Sequence, residues 1–245
     1  EAANRSGAAR DRFITDLQVE LKTPLLFGGY SSDGKRDYNS MFFVKPPAFL
    51  AGMYRKNILL AFGEYVPLGP LAPFVQSFIP TIADFGRGAG PMLMHVDTAS
   101  GPVTFSPQIC YEGIIPDFTR EGVRLGADFV MNVTNDSWFG NSSEPWIHFA
   151  ITTFRAIELR TPIVRATNTG FSAMVDITGT VRDRSSLFAP VLIETTLKFP
   201  DKNKNQEIEP TFYYRYGEIF GKFAAVLTLL LLLFSGTKYR LKDKH

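Results

Sequence analysis

The chain has 245 residues, 45% hydrophobic and 20% charged, enough for one large α/β domain with a sizeable core. Its 26 basic and 24 acidic residues leave a net charge of +2, and the basic ones are scattered, so no nucleic-acid partner is expected. One cysteine excludes an internal disulfide and a multi-cysteine zinc site, and His95, His148 and His245 lie too far apart for a ligand pattern, so neither metal nor cofactor is expected.

In chain order, Glu1 opens the sequence with neither an initiating methionine nor a charged-then-apolar leader, which reads as part of a longer protein. Residues 4–22 favour a helix whose buried face carries Phe13, Ile14, Leu17 and Leu21, and Pro24 stops it. Residues 25–30 read as a short apolar strand, 31–37 as a polar turn, and 39–44 as a second strand paired with the first. Pro46-Pro47 breaks the chain into a loop. In 56–67, KNILLAFGEYVP, the charges of Lys56 and Glu64 flank an apolar run, and charges held at both ends of a core-like segment suggest a site. Residues 68–94 are rich in Pro, Gly and Phe without a clean period, and read as a long apolar loop suited to a lid or a lipid-facing flap. The glycines at 86, 88 and 90 lack the spacing and the strand–helix frame of a nucleotide loop, so no nucleotide site is expected.

The cysteine stands in SPQICYEGIIPDF, 106–118, after a strand over 102–105 and before a helix over 117–125. That junction is where α/β enzymes present a nucleophile. A lone cysteine can equally be a small buried hydrophobe. A thiol with a pKa of about 8.5 is only slightly ionised at neutral pH, so a working one needs a charged neighbour. Glu112, between Tyr111 and Gly-Ile-Ile, is costly to bury unless it is paired.

Residues 127–133 read as a buried strand ending in the polar-aromatic loop TNDSWFG, where Trp138 either plugs the core or lines an acyl pocket. A helix starts at Ser143-Glu-Pro145. It is expected to bury Trp146, Phe149, Ala150, Phe154 and Ile157, leaving His148 structural or exposed rather than catalytic. Strands over 162–167 and 171–176 and a turn at 178–180 follow. The tail, 219–236, is apolar apart from Lys222 and a few small polar residues, and precedes Lys238, Arg240, Lys242 and Lys244. Its unbroken part, 223–234, falls short of the roughly 20 residues of a full span. Lys222 can snorkel, however, and Tyr213, Tyr214, Tyr216 and Tyr239 can anchor the two ends, so a membrane span is expected, with the basic end in the cytoplasm.

Three motifs taken together, K-N-x-x-x-x-F-G-E-x-V-P from Lys56, I-C-Y-E around Cys110 and N-x-x-N-D-x-W-F-G from Asn132, resemble the nitrilase (carbon–nitrogen hydrolase) superfamily. Within it they are most similar to the catalytic domain of bacterial apolipoprotein N-acyltransferases, with further likeness over 155–160, 165–170 and 213–218. The resemblance implies an α/β fold, a nitrilase-like αββα sandwich followed by one C-terminal transmembrane helix. Residues 1–210 would be an N-terminally truncated catalytic domain, 211–237 the pre-membrane segment and span, and 238–245 a basic cytoplasmic tail. Membrane helices that the family carries before the domain would belong to the missing part. The implied triad is Glu1 as general base, Lys56 for the oxyanion and Cys110 as nucleophile. Glu64 and Glu112 would orient Lys56, with backbone N–H groups near Tyr111 in support and Asn135 and Trp138 at a substrate or acyl pocket. The implied partners are a phospholipid acyl donor, a diacylglyceryl-apolipoprotein acceptor and the membrane. The implied location is the bacterial inner membrane, with a periplasmic catalytic domain and a cytoplasmic C-terminus. A membrane-tethered or soluble carbon–nitrogen hydrolase using the same triad on small amides or nitriles is the alternative, and a non-enzymatic interaction domain is a third reading. The apolar loop before Cys110 and the leucine-rich tail favour lipid.

Overall fold

The computed structural model describes residues 14–17, 19–69, 74, 83–198 and 209–242. Glu1 and part of the 68–94 loop lie outside them. Residues 14–17 and 19–21 are helical as expected, although Leu21, assigned to the buried face, is exposed.

The first sheet is antiparallel, in the order β1 (Leu25–Ser32), β2 (Asp37–Lys45), β3 (Phe49–Arg55). β1 and β2 pair from Leu25↔Val44 to Ser32↔Asp37. The turn between them follows from Asp33, whose carboxylate accepts the Lys35 and Arg36 N–H groups at 2.9 Å, and from Gly34, which takes a φ of 84° open to glycine without strain. β3 departs from the expected loop. Pro46-Pro47 turns the chain straight back into a strand, and a register shift at Phe43/Val44 accommodates the return.

The second sheet runs β4 (Met94–Thr98), β5 (Gly101–Ile109), β6 (Phe129–Thr134), β7 (Ile163–Thr167), β8 (Ala173–Val175), β9 (Val181–Arg184). Its centre, β5–β6–β7, is parallel and its flanks are antiparallel. Parallel neighbours need crossovers, and α1 (Pro116–Arg124) and α2 (Glu144–Leu159) supply them. The edge strands β4 and β9 are mostly exposed, which is why their sequences carry no clean alternation.

Two apolar layers result from the period-two geometry of the central strands. Phe105 and Ile109 of β5 and Phe129 and Val133 of β6 face Met41, Phe43 and Tyr54 of the first sheet, with Phe43 edge-on to Phe105 at 5.6 Å. Each large side chain so buried contributes roughly 1.5–3 kcal/mol. On the opposite face Val130 and Ile163 pack with Phe149 and Ala156 of α2. Alternate residues there are polar: Ser106, Gln108, Asn132 and Arg165 are all buried.

Those polar groups change which face of α2 turns inward. The expected stripe of Trp146, Ala150, Phe154 and Ile157 is exposed, and only Phe149 of it is buried. The buried stripe is Pro145, His148, Phe149, Thr152, Arg155, Ala156 and Leu159. A wholly apolar face would leave the strand donors unsatisfied, so the helix presents partners to them.

The tail forms α3 (Phe212–Tyr216) and α4 (Ile219–Lys242). Phe220, Phe223, Val226, Leu229 and Leu232 of α4 are exposed. The expected span is not met: among the described residues no helix is long and apolar enough to cross a membrane.

Candidate active site

Cys110 stands one residue past the end of β5 and opens a 3-10 turn, Cys110–Ile114. Its φ is 52°, in the left-handed region that costs a non-glycine residue about 1–2 kcal/mol. Such a turn lifts a side chain off a strand end, and it persists only where its surroundings hold it. Two groups do so here. The carboxylate of Glu112 accepts the Ile109 N–H at 2.8 Å, and Asn132 Nδ2 donates to the Cys110 carbonyl at 3.3 Å.

Glu112 is completely buried, so its four donors matter: the Tyr54 hydroxyl at 2.7 Å and the backbone N–H groups of Ile109 at 2.8 Å, Asn57 at 2.5 Å and Ile58 at 3.0 Å. Burial pushes its carboxyl above the usual range despite those bonds. Burial, then the Glu112 charge, pushes the Tyr54 hydroxyl up as well. This differs from the expected contact with the Lys56 ammonium. Glu112 stitches the backbone beside Lys56 to the backbone beside Cys110, which brings two segments from different sheets to one place.

Lys56 lies just beyond β3, with its N–H donating to Asn39 O and its carbonyl accepting from Gly88 N, both at 2.8 Å. Its side chain is 1% exposed, and Nζ meets Glu64 Oε2 at 2.6 Å. Glu64 is oriented in turn by Asn39 Nδ2 at 3.0 Å and the Leu60 N–H at 2.8 Å. Among the described residues Glu64 is the hydrogen-bond partner of this buried ammonium.

Tyr111 follows Cys110, half-buried, in the same turn. Asn135 is exposed after β6 and accepts from Ser137 Oγ and Asn168 Nδ2, each at 2.6 Å. Trp138 is 83% exposed, so it does not plug the core. A surface cleft of about 440 Å³ beside the lysine motif is lined by Arg36, Tyr38, Leu59, Tyr65 and Arg87. Neither Lys56 nor Cys110 borders it. Among the described residues no group of His, Cys, Asp and Glu could hold a metal ion.

Sequence reasoning missed the cluster behind the cysteine. Arg165 donates from Nη1 to Asn132 Oδ1 at 3.0 Å and from Nη2 to Asp136 Oδ2 at 2.8 Å. Asp136 Oδ1 meets His148 Nδ1 at 3.1 Å and accepts from Thr134 Oγ1 at 3.2 Å. Burial pushes the Asp136 carboxyl up, but the His148 hydrogen bond and the Arg165 charge outweigh it and hold the group below its usual range. Arg165 Nη2 also approaches His148 Nδ1, at 3.0 Å, so that nitrogen lies between the guanidinium and the Asp136 carboxylate. Burial holds the Arg165 guanidinium below its usual value, with Asp136 and, more weakly, Cys110 offsetting only part of that. The available signal was a charge inside each apolar strand context, VTND and IVRAT.

Comparison with known proteins places this frame in a class. Residues 11–201 match the carbon-nitrogen hydrolase family, and the chain belongs to it. It is similar to proteins named apolipoprotein N-acyltransferase: that of Bdellovibrio bacteriovorus is 44% identical over 212 residues and that of Geobacter metallireducens 37% over 211. Those alignments cover 83% and 84% of this chain and 38% of each relative, so the chain spans well under half the length of the curated relatives it matches. Its fold is similar to that of an amidase mutant from Nesterenkonia sp. AN1 solved with the acetamide moiety of fluoroacetamide covalently added at the active-site cysteine. The TM-score is 0.54 at 18% identity, over 76% of this chain and 65% of that one.

Proposed function

We propose that this chain is the catalytic part of an N-acyltransferase that moves a fatty acyl chain from a phospholipid to the N-terminal α-amino group of a diacylglyceryl-cysteine apolipoprotein. The observation that carries the reading is the 44% identity, across 83% of the chain, to a relative bearing that activity in its name. The site's geometry supports it, because a thiol on a strained strand-end turn and a buried ammonium held by a carboxylate suit acyl transfer.

In this reading Glu1, outside the described residues, takes the proton of the Cys110 thiol. The sulfur attacks the donor's ester carbonyl, and the electron pair pushed onto oxygen is stabilised by Lys56 Nζ and by N–H groups near Tyr111. The carbon–oxygen ester bond breaks, and the lysophospholipid leaves as an alcohol carrying the proton from Glu1. The acceptor's amine then attacks the thioester, Glu1 takes its proton, and the carbon–sulfur bond breaks to return the thiol and leave an amide.

The domain plan belongs to the same proposal, with 1–210 catalytic, 211–237 leading into and crossing the membrane, and 238–245 on the cytoplasmic side. The domain itself sits in the periplasm against the bacterial inner membrane. What supports this is the run of exposed apolar side chains on α4 from Phe220 to Leu233, with Lys238, Arg240, Lys242 and Lys244 after it in the sequence. Thr228 does not spoil it, since its hydroxyl donates to Ala224 O within the helix at 2.8 Å.

Intact-protein mass spectrometry of the purified membrane protein after incubation with phospholipid tests the reaction. A mass gain of one fatty acyl chain, lost on hydroxylamine treatment and absent from Cys110→Ser, is expected. Turnover of small amides with no acyl adduct from phospholipid would replace this reading by the hydrolase one.

A further inference from the structure

The nucleophile's backbone is held from behind by a buried side chain whose orientation cannot reverse. Asn132 is completely buried on β6, directly across the ladder from Arg165 on β7. A guanidinium only donates, so the amide atom that faces Arg165 Nη1 at 3.0 Å must be Oδ1. Nδ2 is thereby turned towards the Cys110 carbonyl, to which it donates at 3.3 Å. That carbonyl belongs to the residue with the left-handed φ, so the bond acts on the turn that sets the sulfur's direction. Arg165 is itself locked by Asp136 Oδ2 at 2.8 Å and by Thr152 Oγ1 at 3.3 Å.

Two glycines keep space for the arrangement. A Cβ on Gly113, within the 3-10 turn, would lie 2.8 Å from Asn132 Nδ2. A Cβ on Gly170 would overlap Asp136 Oδ2, at 2.0 Å. Any larger residue at either place pushes a member of the chain of bonds out of line.

The geometry points to Asn132 and Arg165 as positioning residues for Cys110: the arginine fixes the amide, and the amide fixes the turn that presents the thiol. The inference rests on Cys110 being the nucleophile of the reaction proposed above. It adds a requirement that neither Lys56 nor Glu64 meets, namely a rigid support on the helix side of the second sheet.

The test follows thiol presentation and acyl transfer separately in the intact membrane protein. Asn132→Asp keeps the shape and the contact to Arg165 but sets an acceptor against the Cys110 carbonyl. Gly113→Ala leaves every charge in place and displaces the amide by bulk. Iodoacetamide labelling of the Cys110 peptide, read by mass spectrometry on protein that melts cooperatively, should slow by about ten-fold or more in both variants, since a small misplacement of a reacting group has effects of that size or larger. In phospholipid acylation the loss should fall on the rate of adduct formation, with donor KM little changed. Labelling at the unsubstituted rate in Gly113→Ala overturns the proposal, as does adduct formation at one common rate in all three proteins. If the unsubstituted protein takes no acyl chain while the labelling difference persists, the acyl-donor reading fails and the positioning role stands.

Discussion

Glu112 joins the two halves of the candidate site through hydrogen bonds that only a carboxylate can accept in full. Its two oxygens face four donors, three of them backbone N–H groups. In Glu112→Gln one oxygen becomes an amide nitrogen that must point at a donor. Tyr54 can turn its hydroxyl to accept, but the Ile109 N–H cannot, nor can those of Asn57 and Ile58. The variant should lose about 1–3 kcal/mol, the cost of a buried donor left unpaired, seen as a lower midpoint in thermal unfolding. An unchanged midpoint would mean that the clamp is dispensable. Lys56, Glu64 and Glu112 stood out in the sequence as charges set against apolar runs, and Cys110 by its place at a strand-to-turn junction. What each carboxylate would touch was not: Glu64 meets the lysine while Glu112 meets backbone, a difference set by which strand ends lie side by side.

At the level of elements, the parallel pairing of β6 with β7 puts Asn132 opposite Arg165 and leaves Asp136 just beyond the strand to receive the guanidinium. α2 answers with His148 and Thr152 on its inner face. An apolar-periodicity reading of α2 chose Trp146, Phe154 and Ile157 for the core, because periodicity assumes that the facing surface is greasy. Asp136 should also give this region a measurable pH signature. Its folded-state carboxyl is held below its usual value, so it contributes stability above the unfolded aspartate pKa of about 3.9, lost as pH falls through the depressed folded value. Asp136→Asn leaves Arg165 buried without a charge partner, which should cost about 3–5 kcal/mol near neutrality. Thermal unfolding across a pH series should show the gap between the two proteins narrowing in acid. Parallel profiles would refute the assignment of that acid limb to Asp136.

For the whole molecule, the question is how the exposed apolar helix is joined to the α/β body. Arg120 of α1 donates from Nε to Tyr214 O at 2.8 Å and from Nη2 to Arg215 O at 2.9 Å, clamping α3 by its backbone. Thr211 Oγ1 donates to Glu158 O at the other end, and Gly217, with φ 61°, turns the chain into α4 where a Cβ would lie 2.9 Å from Arg120 Nη1. α4 therefore leaves the domain from a fixed point rather than from a slack linker. Arg120→Ala should free that joint locally. Limited proteolysis with mass mapping is expected to cut within 212–218 several-fold faster, with the melting of the α/β body unchanged. Cleavage at the unsubstituted rate would mean that Thr211 alone holds the segment.

The sequence by itself determined the α/β class, the β1–β2 hairpin, the central strands, the helices after Cys110 and Ser143, and the placing of Cys110 at a strand-to-turn junction. Each of these rests on local chemistry: apolar period, proline and glycine punctuation, and charge beside apolar runs. Only the tertiary structure decided that β3, β4 and β9 are strands, since edge and half-exposed strands lack a one-sided pattern. It also decided which face of α2 is buried, that Trp138 stands in solvent, and that Asn132 reaches the Cys110 carbonyl. Those features depend on what lies across a sheet or a layer, and residues far apart in sequence meet there only once the strands have chosen their neighbours.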